Sequence, residues 1–349
     1  MSRALMRLPH PGRLVPVLSP VVVSGSLQAL LAMIVLLAIA LSLGPAHAAD
    51  DDEDEAPAAA ANADPAGNPA GSHQKDKALA REAAAKAITD DGEKVDALTR
   101  VRTTHVLRVG VYRNFTPFHD DAKGGIDDDI GAELAKRLGV TVSVQSYLAG
   151  DEMEDDFRNI IWKGHYLGTP VSDVMLHVPN DEALAKSAPQ VQILAPYANE
   201  QTVVAYDREK LSGWKGLESL GSLRAGVENL SMPDLYLLSF GAQYKSQISH
   251  FPELHEAVAA LKAGELAVVL GSRTKVESAV GEDAARYPNV RFNGGVYGRA
   301  IDLGVAVKAG EPALARAVGE ALQAMREDGA LQRIYAKHHA TWVAPEPGG

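Results

Sequence analysis

With 349 residues, 46% of them hydrophobic and 23% charged, the chain is long enough to bury cores in two domains. It has no cysteine, which excludes disulfides, thiolate metal sites, iron–sulfur clusters, a cysteine nucleophile and a lipid anchor on an N-terminal Cys. A formal net charge of −11 argues against a nucleic-acid partner, since phosphate backbones are held by clustered Lys and Arg that release counterions.

The N-terminus reads as an export signal. Arg3, Arg7 and Arg13 form a basic segment, residues 29–43 are apolar except for Ser42, and Ala46-His47-Ala48 offers small residues for cleavage after Ala48. The apolar run is shorter than the roughly 20 residues a spanning helix needs. No twin-arginine pair is present, so the expectation is a periplasmic protein exported unfolded. Residues 50–55 are all Asp or Glu, and the Ala, Pro, Asn and Gly stretch to residue 71 has too little apolar surface to offset ordering entropy, which predicts a disordered acidic tail. Residues 75–88 are strong helix formers with few large apolar side chains and predict an accessory helix.

From residue 105 the pattern becomes that of an α/β domain. A β-branched run at 106–111 precedes a loop with Pro117, a helix-spaced segment at 129–138 and an alternating strand at 140–144. A helix at 153–162 and a strand at 173–176 complete a second βαβ step, which predicts a mainly parallel sheet with right-handed crossovers. A second series follows, with strands at 202–206, 224–227 and 267–270, a helix opening near Pro233 and another at 255–263. A strand at 303–307 and helices at 311–324 and 329–337 end the chain. Two series with a returning tail predict two lobes joined by a double crossover, residues 105–199 with 298–342 and residues 200–297.

Three stretches carry a family resemblance: LRVGVYRNFTPF followed by GGIDDDIGAELAKRLGV, then DVMLHVP leading into ILAPYANEQTVVAY, and finally the segment from Asp302 to Trp342. Over residues 105–342 the chain resembles the family 3 periplasmic solute-binding proteins of ABC transporters. The resemblance implies the type II two-lobe fold, a small-molecule solute, a membrane permease as partner, and neither cofactor nor enzymatic activity. Amino-acid receptors of that family hold the ligand carboxylate with an Arg after the lobe-one strand and its ammonium with an Asp after a lobe-two strand. At those places this chain has the segment from Pro179 through Glu182 to Leu184, and Gly271-Ser272-Arg273, so both anchors are missing. An uncompensated buried charge costs several kcal/mol, so the expected solute is not an amino acid. The DVMLHVP segment is also similar to solute-binding proteins found with periplasmic quinoprotein dehydrogenases, which implies a second role as an accessory of such an enzyme.

In a doubly wound fold the ligand lies at the carboxyl ends of the strands. Those positions are Tyr112, Asn114 and Phe118 after the first strand, His177 and Asn180 after the next, and Tyr197 and Asn199 before the hinge. Lobe two offers Glu228, Asn229 and Ser231, then Ser272 and Arg273, with Arg273 as the expected crevice cation. Ser231 before Met232-Pro233 reads equally as a helix cap, His177 as a structural histidine, and Trp162 and Tyr166 as core anchors. Arg273 has Glu228 and Glu277 as competing ion-pair partners. His338-His339 has no carboxylate at helical spacing, residues 120–129 miss the EF-hand pattern, and neither a P-loop, a dinucleotide fingerprint nor a G-x-S-x-G elbow occurs.

Overall fold

The computed structural model describes residues 95–165, 168, 170–194, 196–239 and 242–346. The expected signal segment, acidic tail and helix at 75–88 lie outside the described residues, as does Tyr166. No described helix is long and apolar enough to cross a membrane.

The first described helix, α1 (Ala97–Thr104), is capped by the Asp96 side chain, which accepts from Thr99 N. Its Val101 is fully buried, its first backbone N–H donates to Glu311 Oε2 at 2.8 Å, and Arg100 pairs with Asp173 at 2.7 Å. The sequence reading started lobe one at residue 105. These contacts add α1 to it, and the periodicity was too weak to show this because only Ala97 and Val101 are buried.

Strand β1 (Val106–Tyr112) runs parallel to β2 (Thr141–Tyr147) and to β3 (Val174–Pro179). Between β1 and β2 lies α2 (Ile126–Arg137), which opens three residues before the expected 129. Asp127, Asp128 and Asp129 occupy its first turn and Lys136 and Arg137 its last, the arrangement that complements the helix dipole. Gly125 caps it because a Cβ there would lie 2.2 Å from the Phe118 carbonyl oxygen. Helix α3 (Met153–Phe157) passes into a π turn (Arg158–Trp162), and α4 (Glu182–Ser187) follows β3. The short strands β4 (Val191–Ile193) and β5 (Ala198–Glu200) pair antiparallel with β11 (Ile301–Lys308), which also lies antiparallel to β3. The first sheet therefore has the order β2-β1-β3-β11-β4, with β5 also on β11.

The second sheet has the order β10-β6-β9-β7-β8, from β6 (Thr202–Tyr206), β7 (Ala225–Glu228), β8 (Ile248–Phe251), β9 (Val268–Ser272) and β10 (Asn289–Arg291). Its helices are α5 (Met232–Ser239), α6 (Ala242–Lys245), α7 (Leu254–Lys262) and α8 (Arg273–Val280). In both sheets the inner βαβ strands are parallel, while the crossing strands β6 and β11 pair antiparallel, as a double crossover between lobes requires. Each sheet is sandwiched: Val109, Ile130, Val305 and Leu331 pack on one face of the first and Phe157, Ile160 and Met175 on the other.

The chain ends on α9 (Pro312–Glu327) and α10 (Ala330–Lys337), broken by Gly329 at φ 76°, a left-handed conformation that suits glycine. Beyond α10 the tail runs over the hinge. Trp342 Nε1 donates to the Tyr197 carbonyl at 2.9 Å, Asn199 N donates to the Val343 carbonyl at 2.9 Å, and Thr341 N donates to Glu277 Oε2 on α8 at 2.7 Å.

Candidate functional site

The parallel strands of lobe one end at Tyr112, Tyr147 and Pro179, and those of lobe two at Glu228, Phe251 and Ser272. The crevice is built by the segments that leave these ends.

On the lobe-one wall, Phe115 and Phe118 stack with centroids 5.1 Å apart, and the His177 ring meets them edge-on at 4.8 and 4.2 Å. Tyr112 stands edge-on to Phe115 at 6.1 Å, and its hydroxyl donates to Asp156 Oδ2 at 2.8 Å. Burial, with Asp156 beside it, pushes the Tyr112 hydroxyl far up, so it stays protonated and donates to Asp156. His177 adopts φ 61° and Asn114 φ 53°, left-handed conformations that cost energy for residues other than glycine and recur at functional sites. Behind His177 lies Asp127, fully buried, with Oδ2 3.5 Å from His177 Nδ1. Neither Asp127 oxygen nor His177 Nδ1 has a hydrogen-bond partner among the described residues. Deeper in the same lobe, His119 sits between Asp128 at 2.9 Å and Asp121 at 3.1 Å. Burial opposes its charge, but the two carboxylates outweigh burial and raise its affinity for the second proton.

On the lobe-two wall, Lys275 Nζ lies 2.8 and 3.0 Å from the two Glu228 oxygens and 4.7 Å from the centroid of the Phe115 ring across the crevice. Only 11% and 20% of the Lys275 and Glu228 side chains are exposed. Ser231 accepts from Asp234 N at 3.3 Å and donates to the Glu228 carbonyl at 2.7 Å, so it caps the turn into α5. The Asn229 backbone N–H donates to the Phe251 carbonyl at 2.8 Å, while the residue itself is exposed. Ser272 caps α8 by accepting from Lys275 N at 3.5 Å.

The sequence-derived residues thus divide. Tyr112 ends β1, Asn114 follows it, and His177 lies within β3; Phe118 is buried beneath the Phe115 ring; Asn180 stays half-buried with its N–H on the Asp302 carbonyl at 2.7 Å; and Glu228 and Asn229 stand at the end of β7 in lobe two. Tyr197 and Asn199 do not line the crevice. Tyr197 is fully buried in the lobe-one core, and Asn199 Nδ2 donates to Asp302 Oδ1 at 2.7 Å within the hinge. Arg273 is not the crevice cation either. Its guanidinium donates to Gln201 Oε1 and its backbone N–H to the Gln201 carbonyl at 2.7 Å, which ties α8 to the crossover. Neither expected acid holds it, because Glu228 takes Lys275 and Glu277 takes Thr341 N and Asn289. Glu182 is 84% exposed and pairs with Lys186 on the outer surface, and Trp162 packs against the second lobe-one cluster. Sequence reasoning missed Phe115, Asp127 and Lys275. Phe115 stands inside the Asn114-to-Phe118 stretch, whereas Lys275 is two residues beyond Arg273, one helical step further into the crevice.

No protein-family model matches the chain, and no curated protein matches its sequence. Solved structures do match. An ancestral cationic amino-acid solute-binding protein is similar at 20% identity with a TM-score of 0.54, over 69% of this chain and 99% of that one. A polar amino-acid ABC uptake transporter substrate-binding protein from Streptococcus thermophilus is similar at 17% identity with a TM-score of 0.54, over 72% of this chain and 92% of that one. The chain has the two-lobe α/β fold of the periplasmic solute-binding proteins.

Proposed function

We propose that this chain is the periplasmic solute-binding receptor of an ABC-type transporter, whose lobes close on a small solute other than an amino acid and present the closed form to a membrane permease. One observation carries the reading: Lys275 of lobe two, paired with Glu228, lies over the Phe115 ring of lobe one, so segments that leave the strand ends of the two lobes meet across a crevice built from both. A ligand touching both walls shifts the population toward the closed state. That the solute is not an amino acid is supported by Glu182 on the outer surface and Ser272 as a helix cap, where the family's carboxylate and ammonium anchors would stand. The neighbours' amino-acid ligands belong to those proteins. The binding role requires no catalytic group of this chain.

The test is a thermal-shift screen of amino acids, organic acids, amines, alcohols and sugars, followed by small-angle scattering with any hit. A ligand at 100 times its Kd adds about 2.7 kcal/mol of stability, and closure reduces the radius of gyration. Stabilisation by a standard amino acid refutes the excluded class, and a hit that leaves the protein more extended than it is without ligand refutes closure.

A second reading, an accessory of a periplasmic quinoprotein dehydrogenase, is favoured by the large apolar side chains left in solvent on lobe two, Leu230 at 73% and Val296 at 74% exposure. Co-purification of that dehydrogenase, abolished by Leu230→Asp and Val296→Asp together, would decide for it.

A further inference from the structure

Lys275 brings its side-chain nitrogen to the place where the two lobes meet. Two of its three N–H donors are within reach of the Glu228 oxygens at 2.8 and 3.0 Å, and the ammonium lies 4.7 Å over the face of Phe115. A carboxylate on one side and the negative face of an aromatic ring on the other are the two groups that recognise an organic ammonium. The carboxylate and the lysine belong to lobe two and the ring to lobe one, so the contact is made only when the lobes approach.

We propose that Glu228 and Phe115 form a cross-lobe site for an organic ammonium, and that Lys275 fills it as a tethered stand-in when no solute is bound. The inference rests on the receptor reading above and gives its solute a class: a cationic amine, recognised through its ammonium by the Glu228 carboxylate and the Phe115 ring. A solute must displace Lys275, and the fraction of molecules in which the lysine has swung away scales the apparent affinity.

The experiment uses the full exported chain with Lys275→Met and, as a polar control that keeps hydrogen bonding, Lys275→Gln. Both are examined by small-angle scattering and thermal melting with n-propylammonium, and with propanol and propionate as neutral and anionic counterparts. Both variants are expected to be more open than the parent, and n-propylammonium to restore compaction saturably while propanol and propionate do not. Adding Glu228→Gln to Lys275→Met should remove that response, and the parent should need at least tenfold more amine. Variants that stay compact without amine, or that respond equally to propionate, overturn the proposal. If the variants take the amine while no solute stabilises the parent, the receptor reading fails and the site stands. If a neutral or anionic solute stabilises the parent and Lys275→Met alike, the site fails and the receptor reading stands.

Discussion

Asp173 gives a test in which burial and ion pairing predict opposite signs. Its side chain is fully buried, Arg108 N donates to Oδ2 at 2.8 Å, and Oδ1 faces Arg100 at 2.7 Å and Arg108 at 3.2 Å. Burial pushes the carboxyl up to about 6, against the pull of Arg100. In the unfolded chain an aspartate titrates near 3.9. A folded value above the unfolded one means that the neutral acid's contribution is complete below about pH 3.9 and is lost as pH rises, with the loss finished just above 6. Two units correspond to about 3 kcal/mol. Asp173→Asn cannot titrate, so the stability of the parent minus that of the variant should fall by about 3 kcal/mol between pH 3 and pH 7. Other carboxylates cancel in this difference. Urea unfolding of both proteins at each pH measures it. A difference that rises with pH would show the two arginines prevailing over burial and would refute the reasoning.

Gly125→Ala should destabilise by several kcal/mol in urea unfolding, because the new Cβ would meet the Phe118 carbonyl at 2.2 Å and backbone must move. Ser231→Ala removes the cap of α5 and should cost about 1 kcal/mol by the same assay, without changing the crevice charges. His119 is held above its ordinary value against burial by Asp128 and Asp121, so its contribution is complete below about pH 6.5 and lost as pH rises through the folded value. The difference between the parent and His119→Gln, measured from pH 6 to pH 9, should shrink with rising pH.

The strands and helices that a reader of the sequence could find are those whose own side chains form a face. β1, β3, α9 and α10 have that property, with Val109, Val174, Val318 and Leu331 all fully buried. The three-residue strands β4, β5 and β10 do not: they are defined by hydrogen bonds to β11 and β6, whose partner residues lie far away in the chain. Apolar spacing alone starts α2 at Asp129, whereas the helix opens at Ile126 with the three aspartates in its first turn, where they complement the helix dipole. For the site, the strand-end rule points to Tyr112, Phe118 and His177, of which Phe118 is fully buried. The same rule placed Tyr197 and Asn199 in the crevice, although the chain there has already turned into the hinge. Lys275 was out of reach of any one-lobe argument, since its importance comes from a ring on the opposite lobe.

The tail beyond α10 turns the hinge from a two-ply into a three-ply joint. Besides the two covalent crossovers, Thr341, Trp342 and Val343 bind Glu277 of lobe two, Tyr197 of lobe one and Asn199 at the crossover. Such a joint resists bending more than two crossovers alone, and its stiffness is set by residues that no solute touches. A shortened or C-terminally tagged version of the chain would then report a softer hinge than the native protein has. Opening rates compared between preparations are meaningful only when residues 341–346 are intact and unencumbered.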